Sequence, residues 1–190
     1  MAVKILLTGT IHVGKTALLN ALETAELPNV LTIPEVAREI LSKNPELEKD
    51  PNLQDILFTE QVRREKVVTS NDSIAICDRG VLDIVAHSKL FNHEIKPEWL
   101  QWLRTYDLTF LLNKDDVPFS GENRAFSDPG RDWIQFRNTL DDNIKLVLTE
   151  NNLRYQQLSG SIESRLSYLT SRIRETPVLR ESYERRVERI

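Results

Sequence analysis

The octet Gly9-Thr10-Ile11-His12-Val13-Gly14-Lys15-Thr16 follows directly on the apolar run Val3 to Leu7 and runs straight into Ala17-Leu18-Leu19. Its spacing, G-x-x-x-x-G-K-S/T, is that of the Walker A motif and predicts a strand, a phosphate-cradling loop and a helix in that order. Gly9 and Gly14 allow positive φ and close approach of the backbone, so that consecutive N–H groups turn inward on phosphate oxygens. Lys15 would reach the β- and γ-phosphates as a point charge, and the Thr16 hydroxyl would ligate Mg²⁺. The helix begun at Lys15-Thr16 turns its positive end toward the same anion. Residues 9–17, with Thr10, Ile11, Val13 and Ala17 beside the named four, are therefore the expected ATP-binding stretch. His12 reads as the occupant of a tolerant x position.

The chain has 190 residues, which suits one domain with a single sizeable core. Hydrophobic residues at 40% and charged residues at 28% are ordinary globular usage and argue against wholesale disorder. A net charge of -4 gives no electrostatic case for nucleic-acid or anionic-membrane binding. The single cysteine, Cys77, excludes an intramolecular disulfide, and the histidines His12, His87 and His93 show no metal-ligand spacing. The apolar start is too short for a signal peptide, and no stretch is long enough to span a bilayer. A soluble, cytoplasmic protein is the expectation.

Along the chain, strand-like and helix-like segments alternate, which predicts an α/β fold on a parallel sheet. A helix over Thr16 to Ala25 leads to a second strand, Val30 to Ile33, stopped by Pro34. Glu35 then stands at a strand's carboxyl end, the edge that faces the ligand crevice in open parallel sheets. The polar stretch 42–52 reads as an exposed connection, and a helix from Leu53 to about Asn71 follows, with Ile56, Leu57, Gln61 and Arg64 at helical spacings. Ser73 to Cys77 is apolar enough for a strand buried on both faces. It ends at Asp78-Arg79-Gly80, and an acidic residue there fits a Walker B position, a carboxylate beside Mg²⁺. The other reading of Asp78 is a cap for the helix Val81 to Phe91. Arg79 could clamp a phosphate or substrate bidentately.

Pro97 to Arg104 is a predicted helix whose Trp99 and Trp102 read as core and cover rather than a base-stacking platform. Asp107 to Leu112 is the fourth strand. A long unpatterned segment, 113–131, reads as a functional lid that carries Arg124, Asp128 and Arg131. A helix from Arg131 to Asn151 carries the stripe Phe136, Leu140, Ile144 and Leu148. The fifth strand is Arg154 to Leu158, the turn Ser159-Gly160-Ser161, and the last core helix Ile162 to Arg174. One domain over 1–176 and a charged tail over 177–190 complete the organisation, the tail suiting a solvated surface, a partner protein or a homodimer contact.

The phosphate loop, then Pro34-Glu35-x-Ala37-Arg38, then Asp78-Arg79-Gly80-x-x-Asp83, in this order, resemble the small P-loop kinases and AAA-domain ATPases. Most similar are the nicotinamide-riboside-kinase-like domains of bacterial NAD-regulatory proteins; thymidylate kinases are more distant. The resemblance implies a three-layer P-loop NTPase fold, a five-stranded, mainly parallel sheet with helices on both faces. It also implies that Glu35, Arg38, Asp78, Arg79 and Asp83 line the phosphoryl-acceptor side, and that Gly160 and Ser161 lie near the adenine.

These readings converge on transfer of the ATP γ-phosphoryl group to a small nucleoside- or nucleotide-like acceptor. Lys15 and the loop amides neutralise charge, Thr16 and Asp78 hold Mg²⁺, and Arg79 with a lid arginine stabilises the transition state. Either Glu35 or Asp78 would act as the base. Two alternatives stay open, an NTP-hydrolysing regulatory switch and a nucleotide-binding module that acts through a protein partner. Asn113-Lys114-Asp115-Asp116 comes close to the guanine-reading N-K-x-D signature, which leaves ATP against GTP preference open as well.

Overall fold

A computed structural model describes residues 3–25, 27, 29–67, 73–119 and 130–175. Five strands, β1 (Val3–Thr8), β2 (Val30–Ile33), β3 (Ile74–Asp78), β4 (Leu108–Leu112) and β5 (Gln156–Leu158), form one sheet in the order β2-β3-β1-β4-β5. Every described pairing is parallel, so the sheet is wholly rather than mainly parallel. The register sets Leu7 beside Asp78, Ile33 beside Cys77 and Leu112 beside Leu158, which brings the carboxyl ends of the strands to one edge.

Among the described residues, seven α-helices flank the strands: α1 (Lys15–Thr24), α2 (Val36–Lys43), α3 (Leu53–Val67), α4 (Val81–Leu90), α5 (Pro97–Leu103), α6 (Trp133–Glu150) and α7 (Ile162–Arg174). Side chains alternate across a strand, and the sheet therefore feeds two separate cores. Ile5, Leu7, Ile74, Ile76, Phe110 and Leu112 pack with α1 and α7. Leu6, Ala75, Cys77 and Leu111 pack on the other face with α2 through α6. The central strand β3 is buried along its whole length, as its unbroken apolar run requires. Trp99 is 1% exposed and stacks on Phe58, which makes it a core residue.

Several boundaries differ from the sequence expectation. The helix expected from Arg131 starts at Trp133, because the Asp132 carboxylate accepts from the backbone N–H groups of Ile134 and Gln135 and caps it there. β5 is only three residues long, and the connection over 42–52 contains a 3-10 turn, Pro45–Lys49. α3 is described to Val67, and its expected extension to Asn71 lies outside the described residues, as do Arg124, Asp128 and the tail over 177–190. No described helix is long and apolar enough to cross a membrane.

Candidate functional site: a phosphate loop facing a charged cavity

The loop between β1 and α1 has the backbone its glycines require. Gly9 has φ +142° and Gly14 φ +87°, and a Cβ on Gly9 would stand 3.1 Å from Val13 Cγ2 and 3.2 Å from the Leu112 carbonyl oxygen. His12 is also left-handed, at φ 54°. Position 12 is thus less tolerant than its x in the motif suggests, since side-chain-bearing residues enter that region at a cost.

Two arginines distant in sequence strap the loop from outside. Arg137 of α6 donates through Nε to the Ile11 carbonyl, while its own carbonyl accepts from Thr10 Oγ1. Arg165 of α7 donates to the Val13 carbonyl at 2.6 Å and to the Asn113 carbonyl at 3.2 Å. Inside the loop, Lys15 Nζ donates to the Gly9 and Thr10 carbonyls, both at 2.6 Å. Burial first, and then the neighbouring Arg79 charge, pull its pKa down to about 7. The lysine is folded back on the loop's own oxygens, within reach of any anion the loop amides would take.

Thr16 Oγ1 donates to Asp78 Oδ2 at 3.2 Å, so the second residue of α1 and the last residue of β3 meet. The other carboxylate oxygen, Asp78 Oδ1, is buried with no hydrogen-bond partner, and burial raises the Asp78 pKa. A hydroxyl, a carboxylate and an orphaned buried oxygen fit Mg²⁺, which takes one or two protein ligands and completes its shell with phosphate and water. Among the described residues no group of three or more His, Cys, Asp or Glu side chains could hold a metal without such help.

Arg79 stands at φ 66° between two carboxylates, paired through Nε with Glu35 at 3.0 Å and through Nη1 with Asp83 at 2.9 Å. Arg38 pairs with the other Glu35 oxygen at 2.7 Å and donates to Thr16 Oγ1 at 3.2 Å. Burial works to raise the Glu35 pKa, but Arg79, Arg38 and Lys15 together outweigh it and hold the carboxyl below its ordinary range. Asp83 is differently placed. It accepts from Thr8 Oγ1 and from the Gly80 N–H, which makes it the brace that holds Arg79 and the start of α4.

Lys15, Thr16, Glu35, Arg38, Arg79 and Asp83 open on one cavity of about 1090 Å³, while Asp78 lies behind Thr16 and outside its lining. His12, Gly14, Lys15 and Thr16 form one side, Glu35, Arg38, Arg79 and Asp83 the next, and Gln54, Leu57, Ile84, His87 and Phe136 the far wall. Arg131 lines its mouth, its guanidinium 5.0 Å from the Trp133 ring and 5.2 Å from the Phe136 ring. Gly160 and Ser161 lie outside this cavity. The Gly160 N–H donates to Asp116 Oδ2 at 2.7 Å, and Ser161 caps α7 by accepting from the Ser164 N–H. Asn113, Lys114 and Asp116 in fact stand at the full N-K-x-D spacing. Both Asp116 oxygens are engaged, Oδ2 by Gly160 and Arg165 and Oδ1 by Asn113, so the carboxylate clasps the β4 end to the turn after β5.

Four residues of this arrangement had no signal in the motifs: Arg137, Arg165, Gln54 and His87. Arg137 and Arg165 sit among helical apolar residues and are distinguished only by their partners. Gln54 and His87 could have been suspected as polar residues within the buried stripes of α3 and α4.

Comparison with known proteins follows the same line. No curated protein matches the chain in sequence. Among solved structures, NadR protein in complex with NR aligns at 17% identity and TM-score 0.65, covering 92% of this chain and 50% of that one, so the chain spans about half the length of that relative. Thymidylate kinase from Candida albicans aligns at 14% identity and TM-score 0.64 over 94% and 93% of the two chains. Deoxyadenosine kinase from M. mycoides, with products dCMP and dCDP bound, aligns at 15% identity and TM-score 0.60 over 90% and 98%. At such identities the likeness establishes the fold alone, an α/β P-loop fold shared with these proteins. Residues 4–165 match the AAA domain family, and the chain belongs to it.

Proposed function

We propose that the protein is a Mg²⁺-dependent kinase that transfers the γ-phosphoryl group of ATP to a small nucleoside- or nucleotide-like acceptor. The observation that carries the reading is the single cavity shared by the phosphate loop and the Glu35–Arg38–Arg79–Asp83 network, which sets a donor site against a charged wall. The structural likeness to a deoxyadenosine kinase and a thymidylate kinase supports it.

In this reading the loop amides and Lys15 bind the triphosphate, and Thr16 with Asp78 would hold Mg²⁺. That ion supplies charge neutralisation between the phosphates when bound. Arg79, already aimed into the cavity by its two carboxylate partners, stabilises charge that develops on the transferring group. Asp78, whose pKa burial raises, and Glu35, whose pKa the arginines lower, are the two groups able to orient or receive the acceptor proton. Arg131 is the described lid arginine nearest this chemistry.

The test is incubation with Mg·ATP and a panel of nucleosides, nucleoside monophosphates and nicotinamide riboside, with mass spectrometry of the products. One phosphorylated acceptor is expected, and Lys15→Ala should abolish its formation. ADP release that is independent of every acceptor would instead indicate an NTP-hydrolysing protein, and absence of all turnover a nucleotide-binding module.

A further inference from the structure

The far wall of the cavity contains two polar groups that the phosphoryl chemistry does not use. Gln54 stands near the start of α3, between the core residue Leu53 and the apolar positions Ile56 and Leu57. It is 6% exposed, and its Oε1 is buried with no hydrogen-bond partner among the described residues. Leaving a buried carbonyl oxygen unsatisfied is destabilising, and an apolar residue of similar length would avoid that cost. The fold nevertheless places an amide here, on a wall that faces the cavity.

His87 stands on α4 and lines the same wall. Its Nδ1 is 2.7 Å from the Asp83 carbonyl oxygen. A carbonyl only accepts, so Nδ1 carries the hydrogen and Nε2 is left as an acceptor. Burial and the nearby Arg79 charge keep the ring neutral, with a pKa lowered to about 4. Phe136 approaches the His87 ring at 6.4 Å and lines the same wall, so an apolar aromatic surface accompanies the two acceptor atoms.

We infer that Gln54 and His87 are specificity-determining residues that read hydrogen-bond donors on a planar heterocycle, so that the acceptor is a nucleoside-type ligand whose ring bears an amino or carboxamide N–H. This rests on the kinase reading only for the position of the transferred group, since recognition of the ring precedes any transfer. With its terminal amide turned toward the cavity, Gln54 Oε1 takes one ligand N–H, and the glutamine's own amide hydrogens can return a bond to an adjacent ring acceptor, the bidentate pattern that glutamine makes with an adenine edge. His87 Nε2 takes a second donor. A ring lacking the N–H leaves Gln54 Oε1 as unsatisfied as it is in the free protein, and discrimination follows from that difference.

Calorimetry on the whole chain tests this, with the donor site saturated by Mg²⁺ and a non-hydrolysable ATP analogue so that nucleosides report on the acceptor side alone. Three matched pairs serve as ligands: cytidine against its 4-desamino analogue, adenosine against purine riboside, and nicotinamide riboside against its N,N-dimethyl amide. At least one amino or amide member is expected to bind about tenfold or more tightly than its partner, the scale set by one unsatisfied buried group. In Gln54→Met, which keeps length and removes the carbonyl, that ratio should fall within about threefold, with affinity for the ATP analogue unchanged. His87→Phe should reduce the ratio by a smaller factor.

Equal binding within every pair, failure of all six ligands to bind, or a ratio that survives in both variants overturns the inference. If Gln54→Met does not fold, the wild-type ratios still decide. Discrimination without any phosphorylated product would refute the kinase reading and leave this one standing. Transfer to an acceptor without discrimination would do the reverse.

Discussion

The phosphate loop and the wall opposite it are built by different means. In the loop, eight consecutive residues form the site, and Lys15 bonds the carbonyls of Gly9 and Thr10 within the same turn of chain. Across the cavity, Glu35 from the start of α2, Gln54 from α3, Arg79 after β3, Asp83 and His87 from α4 and Phe136 from α6 reach one space from separate elements. A contiguous site depends on backbone dihedrals, and its geometry travels with the motif. An assembled site depends on helix placement, and there a buried clash or a lost brace moves a residue that no ligand touches.

Substitutions can break this division, the largest effect coming from the residue that joins its two sides. Arg79 faces the phosphate loop yet is held by the carboxylates of Glu35 and Asp83, so Arg79→Ala should lower turnover by on the order of a thousandfold, as the loss of a charge aimed at the transition state does, while leaving ATP affinity within a few-fold. Steady-state kinetics with a separate nucleotide-binding measurement would check it. An unchanged kcat would remove Arg79 from the chemistry.

Next in size is Gly80→Ala, which probes the packing behind the assembled side. A Cβ there would stand 2.8 Å from Leu6 Cδ1 and meet the Tyr106 hydroxyl. That hydroxyl cannot move aside freely, because it donates to Glu65 at 2.6 Å and accepts from the Val81 N–H at 3.0 Å. Glu65 is itself buried and accepts from Lys4, Gln61 and Trp102. We predict a loss of about 1–3 kcal/mol in denaturant unfolding, the usual cost of forcing atoms into a packed interior, partly restored by adding Tyr106→Phe. A variant as stable as the parent would show that the start of α4 has room to shift.

The smallest effect belongs to the contiguous side. Lys15, with a pKa lowered to about 7, is mostly neutral at pH 8 in the free loop. A bound triphosphate favours the ammonium and raises that pKa, so binding should take up protons, as much as about one per site at pH 8, and progressively fewer as pH falls below 7. Calorimetry of ATP binding in two buffers of different ionisation enthalpy measures the uptake. None at pH 8 would mean that the Gly9 and Thr10 carbonyls already keep Lys15 charged.

Much of the fold was legible along the chain. The apolar runs of β1 and β3, the glycines between β1 and α1, and the acidic residue closing β3 are local features whose consequences are local. Thr16 and Asp78, expected to share a metal, do meet. Asp83 was legible as part of the Asp-Arg-Gly segment, but its work as a brace on Arg79 was not. The Asn113-Lys114-x-Asp116 signature illustrates the limit: the spacing is complete, but that the carboxylate accepts from Gly160 and Arg165 is visible only in the fold.

By itself the sequence determined the phosphate loop and the parallel α/β frame, because strand period, glycine dihedrals and a lysine at the start of a helix act over a few residues. Tertiary structure alone decided what straps that loop and what faces it. Arg137 lies 126 positions from the Ile11 carbonyl it binds, and Arg165 lies 152 from that of Val13. Gln54 and His87 acquire meaning only once α3 and α4 line the same cavity. No spacing rule spans such separations, since their partners are chosen by the packing of helices on the sheet.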